Sequence, residues 1–231
     1  MILFENHIRS NVSVNSSRDC VPFVEEVVSL GVILDSTLSW RPQIQEITKK
    51  VNRVLYGLRL IRPCTSQILR KRLIESLVVP HLDYCNVVYS DIFYERSVQL
   101  QRHSNVGNRY IYGIRWNEHS TPFRQKLHWM SNMTRINYFA SLTMYRLVRM
   151  KEPPLLLSFF KPFHSDRPTL GPRIALAIPS VSTDWGLHSF QVNYAHLWNL
   201  IPPCIRDLPS YSRFKKSIKQ FLYNQDIRVK S

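Results

Sequence analysis

A chain of 231 residues suits one large domain or two small ones, and 44% hydrophobic with 12% aromatic side chains is enough to bury a core. Its 31 lysines and arginines against 16 aspartates and glutamates leave +15, a field that favours nucleic acid or an anionic membrane as partner. No run reaches the roughly 18 apolar residues that would span a bilayer, and the apolar start is broken at once by Glu5 and His7, which speaks for an intracellular protein, nuclear or cytoplasmic, without a secretory signal.

Residues 1–38 read as short strands: 1–8, an Asn/Ser-rich turn over 11–19, then 26–35, rich in β-branched side chains. Gly31 interrupts the last run. A glycine inside a strand marks a bulge or the close approach of another backbone, and a plain hairpin is the simplest source of both.

At Ser39 the period changes. Ile44, Ile47, Val51, Val54, Leu58 and Ile61 recur at steps of three and four, the signature of an amphipathic helix. Ser39 is a natural N-cap, Pro42 suits the first turn and Pro63 ends the helix. The opposite face carries Gln45, Lys49, Asn52, Arg53, Tyr56 and Arg59. A second helix follows Thr65 or Ser66, through Ile68, Leu69, Leu73, Leu77 and Val78 to Pro80, with the triplet Arg70-Lys71-Arg72 extending the positive stripe. The apolar stripe of the first helix is expected to bury itself against the second.

Residues 41–75 hold nine basic side chains (Arg41, Lys49, Lys50, Arg53, Arg59, Arg62, Arg70, Lys71, Arg72) against Glu46 and Glu75, so nine minus two leaves a local excess of seven. A solvated face is the usual fate of such residues. Like charges at i,i+4 repel, however, and a face so poor in balancing glutamates favours contact with phosphates.

Three further helices are expected near 81–89, 95–114 and 134–150. Beyond them Pro153, Pro154, Pro162, Pro168, Pro172 and Pro179 mark residues 152–186 as an extended linker. A last helical pair, 188–199 and 210–223, flanks Ile201-Pro-Pro-Cys-Ile-Arg-Asp-Leu-Pro209. The four cysteines lie far apart with no Cys-x-x-Cys pair, and the eight histidines make no ligand spacing, so neither metal site nor disulfide framework is assigned and partly buried thiols are expected.

The segment Leu30-Gly-Val-Ile-Leu-Asp-Ser-Thr-Leu-Ser-Trp40, followed by Ile44 and Lys49-Lys50, resembles the palm-to-thumb junction of reverse transcriptases from jockey-like non-LTR retrotransposons. Pro80-His-Leu-Asp-Tyr84, Leu100-Gln101 and Tyr112-Gly113-Ile114 are similar to that family's thumb helices. The tail residues Ser189-Phe190, Trp198-Asn199, Pro202, Ile205-Arg206, Ser212 and Phe214-Lys215-Lys216 keep the spacing of its C-terminal block. The matches run in order across some 200 residues.

The resemblance implies a mainly α chain in four parts: a β-hairpin over 1–38 ending the palm and primer grip, a thumb-like helical domain over 39–151, the linker 152–186 and a C-terminal helical segment over 187–231. Leu30 and Gly31 would correspond to the primer grip. Phe190, Trp198 and Phe214 are the expected anchors of the tail, with Lys215, Lys216 and Lys219 outside. The family's polymerisation uses two Mg2+ held by palm carboxylates. This sequence has no adjacent Asp pair, so the expectation is a non-catalytic fragment without cofactor. It would grip RNA or RNA–DNA duplex through Lys49, Lys50, Arg53, Arg59, Arg70, Lys71 and Arg72, and would have the palm and fingers of the parent polymerase, not a membrane, as its other partner. A domesticated or relic reading frame serving only protein interaction is the competing reading, with a peripheral membrane protein and an intact polymerase behind it.

Overall fold

The computed structural model describes residues 15–16, 19–20, 24–89, 94–163, 175–187 and 189–228. The chain is mainly helical, with a small antiparallel hairpin near its start and a helical pair at its end. It divides into two compact units, Met1–Cys85 with Ile92–Trp116, and Asn86–Asp91 with Asn117–Ser231. The division therefore falls between Trp116 and Asn117, whereas the sequence reading carried the first helical domain on to 151.

In the first unit, β1 (Asn15–Ser16) and β2 (Asp19–Cys20) form a minimal antiparallel ladder. The expected strand over 1–8 lies outside the described residues. β3 (Glu26–Ser29) and β4 (Val32–Asp35) pair antiparallel, with Val27 opposite Leu34. Residues 26–35 are thus a hairpin, not one strand. Leu30 and Gly31 form its two-residue turn with φ of 48° and 77°. Positive φ at both positions is the type I′ geometry that matches strand twist, and glycine adopts it without a Cβ clash.

α1 spans Arg41–Ile61. Its N-cap is Trp40, in left-handed backbone, one residue later than the serine that the sequence suggested. Ser39 still contributes, because its Oγ accepts the Arg41 N–H at 3.4 Å. Asp35 holds the entry together: its carboxylate accepts the N–H of Ser39 at 3.0 Å and of Trp40 at 3.2 Å, and the Thr37 hydroxyl. Burial pushes that carboxyl up, but the hydrogen bonds from Thr37, Ser39 and Trp40 outweigh it and hold it below the ordinary aspartate range. Buried Gln43 accepts the Ile33 N–H at 2.9 Å and ties α1 to the hairpin.

A short 3-10 turn, Arg62–Cys64, leads to α2 (Gln67–Leu77), α3 (Val79–Asp83) and α4 (Tyr94–Tyr112). Ser66 caps α2 by accepting the Leu69 N–H at 3.3 Å. The buried stripe of α1 is Ile44, Ile47, Val51, Leu55 and Leu58. It packs on β4, α3 and α4, and not principally on α2 as the sequence reading had it. α2 packs on α3 and α4 and buries only Ile74. Gly107 makes room for it, since a Cβ there would stand 3.2 Å from the Ile74 Cγ2. That packing carries α4 unbroken through the stretch 104–107, despite the helix-weakening glycine.

The second unit contains α5 (Thr121–Lys126), α6 (Asn132–Tyr145) with a wider π-helical extension Arg146–Met150, and α7 (Pro154–Leu157). After these come α8 (Asp184–Leu187), α9 (Phe190–Leu200), α10 (Pro203–Arg206) and α11 (Tyr211–Arg228). α6 lies against both α9 and α11. Their shared core centres on Trp198, Phe214, Tyr145, Tyr194 and Ile218, all buried. Tyr145 stacks on Phe214 with ring centroids 4.3 Å apart, and its hydroxyl donates to the Leu208 carbonyl at 2.7 Å.

The proline-rich stretch is anchored where it is described. Leu176 bridges Pro162, and Asn199 receives its backbone from both sides: Oδ1 accepts the Leu176 N–H at 3.0 Å and Nδ2 donates to the Leu176 carbonyl at 2.8 Å. α5 is fixed to the last helix by a buried ion pair between Arg124 and Asp226. Asp226 also accepts the Ser131 N–H at 2.8 Å, and Arg124 donates to the Trp129 carbonyl at 3.1 Å.

Candidate nucleic-acid interface

The α1 stripe that faces the first unit's core leaves the opposite side of the helix outward, and there Lys49, Asn52, Arg53, Tyr56 and Arg59 are all exposed. At 100° per residue these five fall within about 120° of one another, and Lys49 to Arg59 covers roughly 15 Å of helix length. Tyr56, 68% exposed, presents an aromatic ring among the cations. Lys50 lies to one side and meets Glu46 at 3.6 Å. Such an exposed i,i+4 pair is worth at most about 0.5 kcal/mol and yields easily to a phosphate.

The α2 triplet does not act as a block. Arg72 is exposed. Lys71 is half-buried and lies 3.9 Å from Glu75. Arg70 is engaged inside the fold: its guanidinium donates to the Thr65 hydroxyl at 3.2 Å, the Arg62 carbonyl at 3.1 Å and the Ile111 carbonyl at 3.5 Å. Arg62 behaves alike, donating to the Tyr110 carbonyl at 3.1 Å. Its guanidinium fills the space beside Gly113, whose added Cβ would come within 2.0 Å of it. The two arginines thus satisfy carbonyls at the C-terminal end of α4, where the helix dipole favours cations. Arg70 therefore leaves the set of expected phosphate contacts, and the outward set on these helices is Lys49, Lys50, Arg53, Arg59, Lys71 and Arg72.

Leu30 and Gly31 stand at the hairpin tip, Leu30 being 88% exposed. The Tyr84 hydroxyl donates to the Leu30 carbonyl at 2.6 Å, and the same ring lies beside Gly31. Of the three tail anchors, Trp198 and Phe214 are wholly buried. Phe190 is not: it sits at the margin, edge-on to Phe160 at 5.4 Å and tilted against Tyr194 at 4.3 Å. Cys64 and Cys204 are exposed free thiols rather than partly buried ones, and Cys85 is half-buried.

Among the described residues, no group of three or more His, Cys, Asp or Glu gathers that fits a metal ion. No helix among them is long and apolar enough to cross a membrane. Compared with models of protein families, with curated proteins and with solved structures, the chain gives no match.

Proposed function

We propose that this chain binds RNA or RNA–DNA duplex through the phosphate backbone, with the outer face of α1 as the contact surface and Arg72 beside it in sequence on α2. The observation that carries the reading is the sorting of α1 into two sides. One is packed with Ile44, Ile47, Val51, Leu55 and Leu58. The other exposes Lys49, Arg53 and Arg59, for which no ion pair exists among the described residues. Duplex held by shape and charge needs cations and hydrogen-bonding groups that reach phosphate and 2′-hydroxyl oxygens, and Asn52 and the Tyr56 hydroxyl supply the second kind.

In this reading the chain is the thumb and downstream part of a non-LTR reverse transcriptase, similar to jockey-like elements. The sequence holds no adjacent Asp pair. The role proposed for this chain is the grip on duplex, while the family's nucleotide transfer depends on Mg2+ held by paired palm carboxylates. Leu30 and Gly31, at a tip held by Tyr84, form the primer-grip-like element of the proposal.

The test is fluorescence anisotropy of a labelled RNA–DNA duplex at 50 to 200 mM salt. Four contacts on this face contribute a log–log slope of about −3 to −4, a loss of roughly 50- to 150-fold over that range. Binding that ignores salt, or no binding at all, would overturn the proposal. A second reading, a protein-interaction module, is favoured by one observation: Leu60 and Ile68, at the end of α1 and the start of α2, are each 70% exposed.

A further inference from the structure

α11 carries a second basic face, one that no ion pair among the described residues engages. Its inner side buries Phe214, Ile218 and Leu222. Its outer side exposes Ser212, Arg213, Lys215, Lys216, Lys219, Gln220 and Asn224, with Gln220 donating to Asn224 at 2.9 Å. The one acid of the helix, Asp226, is turned inward and holds Arg124 and the Ser131 N–H. Arg213, Lys215, Lys216 and Lys219 make no ion pair among the described residues. Lys215, Lys216 and Lys219 fall within about 100° of one another at 100° per residue, with Lys216 and Lys219 at i,i+3 and Lys215 and Lys219 at i,i+4, where like charges destabilise the isolated helix. The apolar side offsets that repulsion, and a polyanion laid on the face removes it.

We infer that this face of α11 is a second nucleic-acid backbone site, carried by the other compact unit and separate in residues from the face on α1. The kind of polyanion follows from what accompanies the charges. A helix that lies in a membrane interface needs apolar side chains flanking its cations so that they can enter the acyl boundary. α11 keeps Phe214, Ile218 and Leu222 in the core, with Tyr211, Phe221 and Tyr223 packed against it, and the exposed residues that accompany its cations are Ser212, Gln220, Asn224 and Gln225. Hydroxyls and amides beside lysine and arginine are the groups that bond phosphate and sugar oxygens. The site reads no base sequence, because contacts from lysines, hydroxyls and amides to phosphate and sugar oxygens carry no sequence information.

The experiment uses the full chain carrying Lys215→Gln, Lys216→Gln and Lys219→Gln, with the same duplex and salt series. Glutamine keeps nearly the helix propensity of lysine, so the helical circular dichroism and melting midpoint stay at or slightly above those of the parent. The expected result is a salt slope flatter by about 2 to 3, with affinity at 0.1 M salt weaker by at least tenfold for every sequence. As a measurement that needs no variant, lysine acetylation of the parent is followed by mass spectrometry with and without saturating duplex. Lys215, Lys216 and Lys219 are expected to be protected. An unchanged slope, or equal acetylation with and without duplex, overturns the inference. So does a variant that binds duplex like the parent but loses binding to phosphatidylserine-containing vesicles. Replacing Lys49, Arg53 and Arg59 instead probes the proposed α1 face, so failure of one site and failure of the other give different results.

Discussion

Replacing Asp226 by alanine should destabilise the second unit heavily, because it strands a buried cation. Arg124 and Asp226 are almost wholly enclosed, with side-chain exposures of 3% and 5%. Without the carboxylate, Arg124 retains the Trp129 carbonyl, and the Ser131 N–H at the start of α6 loses its acceptor. Removing one partner of a buried pair costs about 3–5 kcal/mol, mostly as the penalty on the charge left behind. At about 2–4 °C per kcal/mol for a chain of this size, that is a fall of roughly 6–20 °C in melting midpoint. Replacing both partners, Arg124→Met with Asp226→Leu, should recover most of it.

The acid limb supplies an internal check. Burial pushes the Asp226 carboxyl up, but the hydrogen bonds from Arg124 and Ser131 and the Arg124 charge prevail and hold it below its ordinary value. A depressed carboxyl contributes stability that is fully present above its unfolded value and fades as pH falls through the folded one. The gap between parent and Asp226→Ala should therefore be widest near neutrality and close on acidification below the usual aspartate range. Urea unfolding followed by tryptophan fluorescence from pH 7 to pH 3 measures it. A variant that melts within a degree or two of the parent, or a gap that does not change with pH, would refute the reasoning.

Trp198→Ala empties a fully buried position beside Phe214 and should cost about 3–5 kcal/mol in urea unfolding; an unchanged midpoint would detach the tail from the fold. Val51→Asp, which puts a charge where α1 meets its own core, should cost at least about 3 kcal/mol and abolish the cooperative melt of the first unit. Gly113→Ala should lower stability by about 1–3 kcal/mol, because φ is 73° and the new Cβ displaces Arg62 from the end of α4; a neutral result would show that the arginine clamp is dispensable. Asn108 is wholly buried and neither amide atom finds a partner among the described residues, so Asn108→Leu should leave stability unchanged or raise it by about 1 kcal/mol.

The helix α1 was legible in the sequence because one side of it is apolar at regular steps. Ile44, Ile47, Val51, Val54, Leu58 and Ile61 step by alternating three and four, a period of 3.5, whereas a straight helix turns at 3.6 and drifts about 20° per heptad. Over two and a half heptads the seam moves from Val54 to Leu55 and leaves Ile61 exposed. The partner of the stripe was not legible, because periodicity shows that a face is buried and not against what. The roles of Arg62 and Arg70 were hidden for a similar reason: the carbonyls they bond lie some forty or more residues away at the end of α4. Charge counting treats such arginines as surface, and only the tertiary fold removes them from the stripe. On the hairpin, β-branched composition marked residues 26–35 as extended, while Leu30 at positive φ is unusual for its type, and Gly31 alone could not place a turn. The Trp198 and Phe214 anchors were readable as large apolar residues in a helical pattern, whereas Phe190, at the first position of α9, stays 36% exposed.

The central claim is that the outer face of α1 holds duplex through its phosphates. The most direct measurement is the salt dependence of duplex affinity for the parent and for Lys49→Gln, Arg53→Gln and Arg59→Gln combined, three exposed residues that no ion pair among the described residues engages. The account predicts a variant that melts like the parent and whose log–log slope is flatter by about 2 to 3, with the loss spread evenly over duplexes of different sequence. A folded variant with the parent's slope and affinity would contradict it.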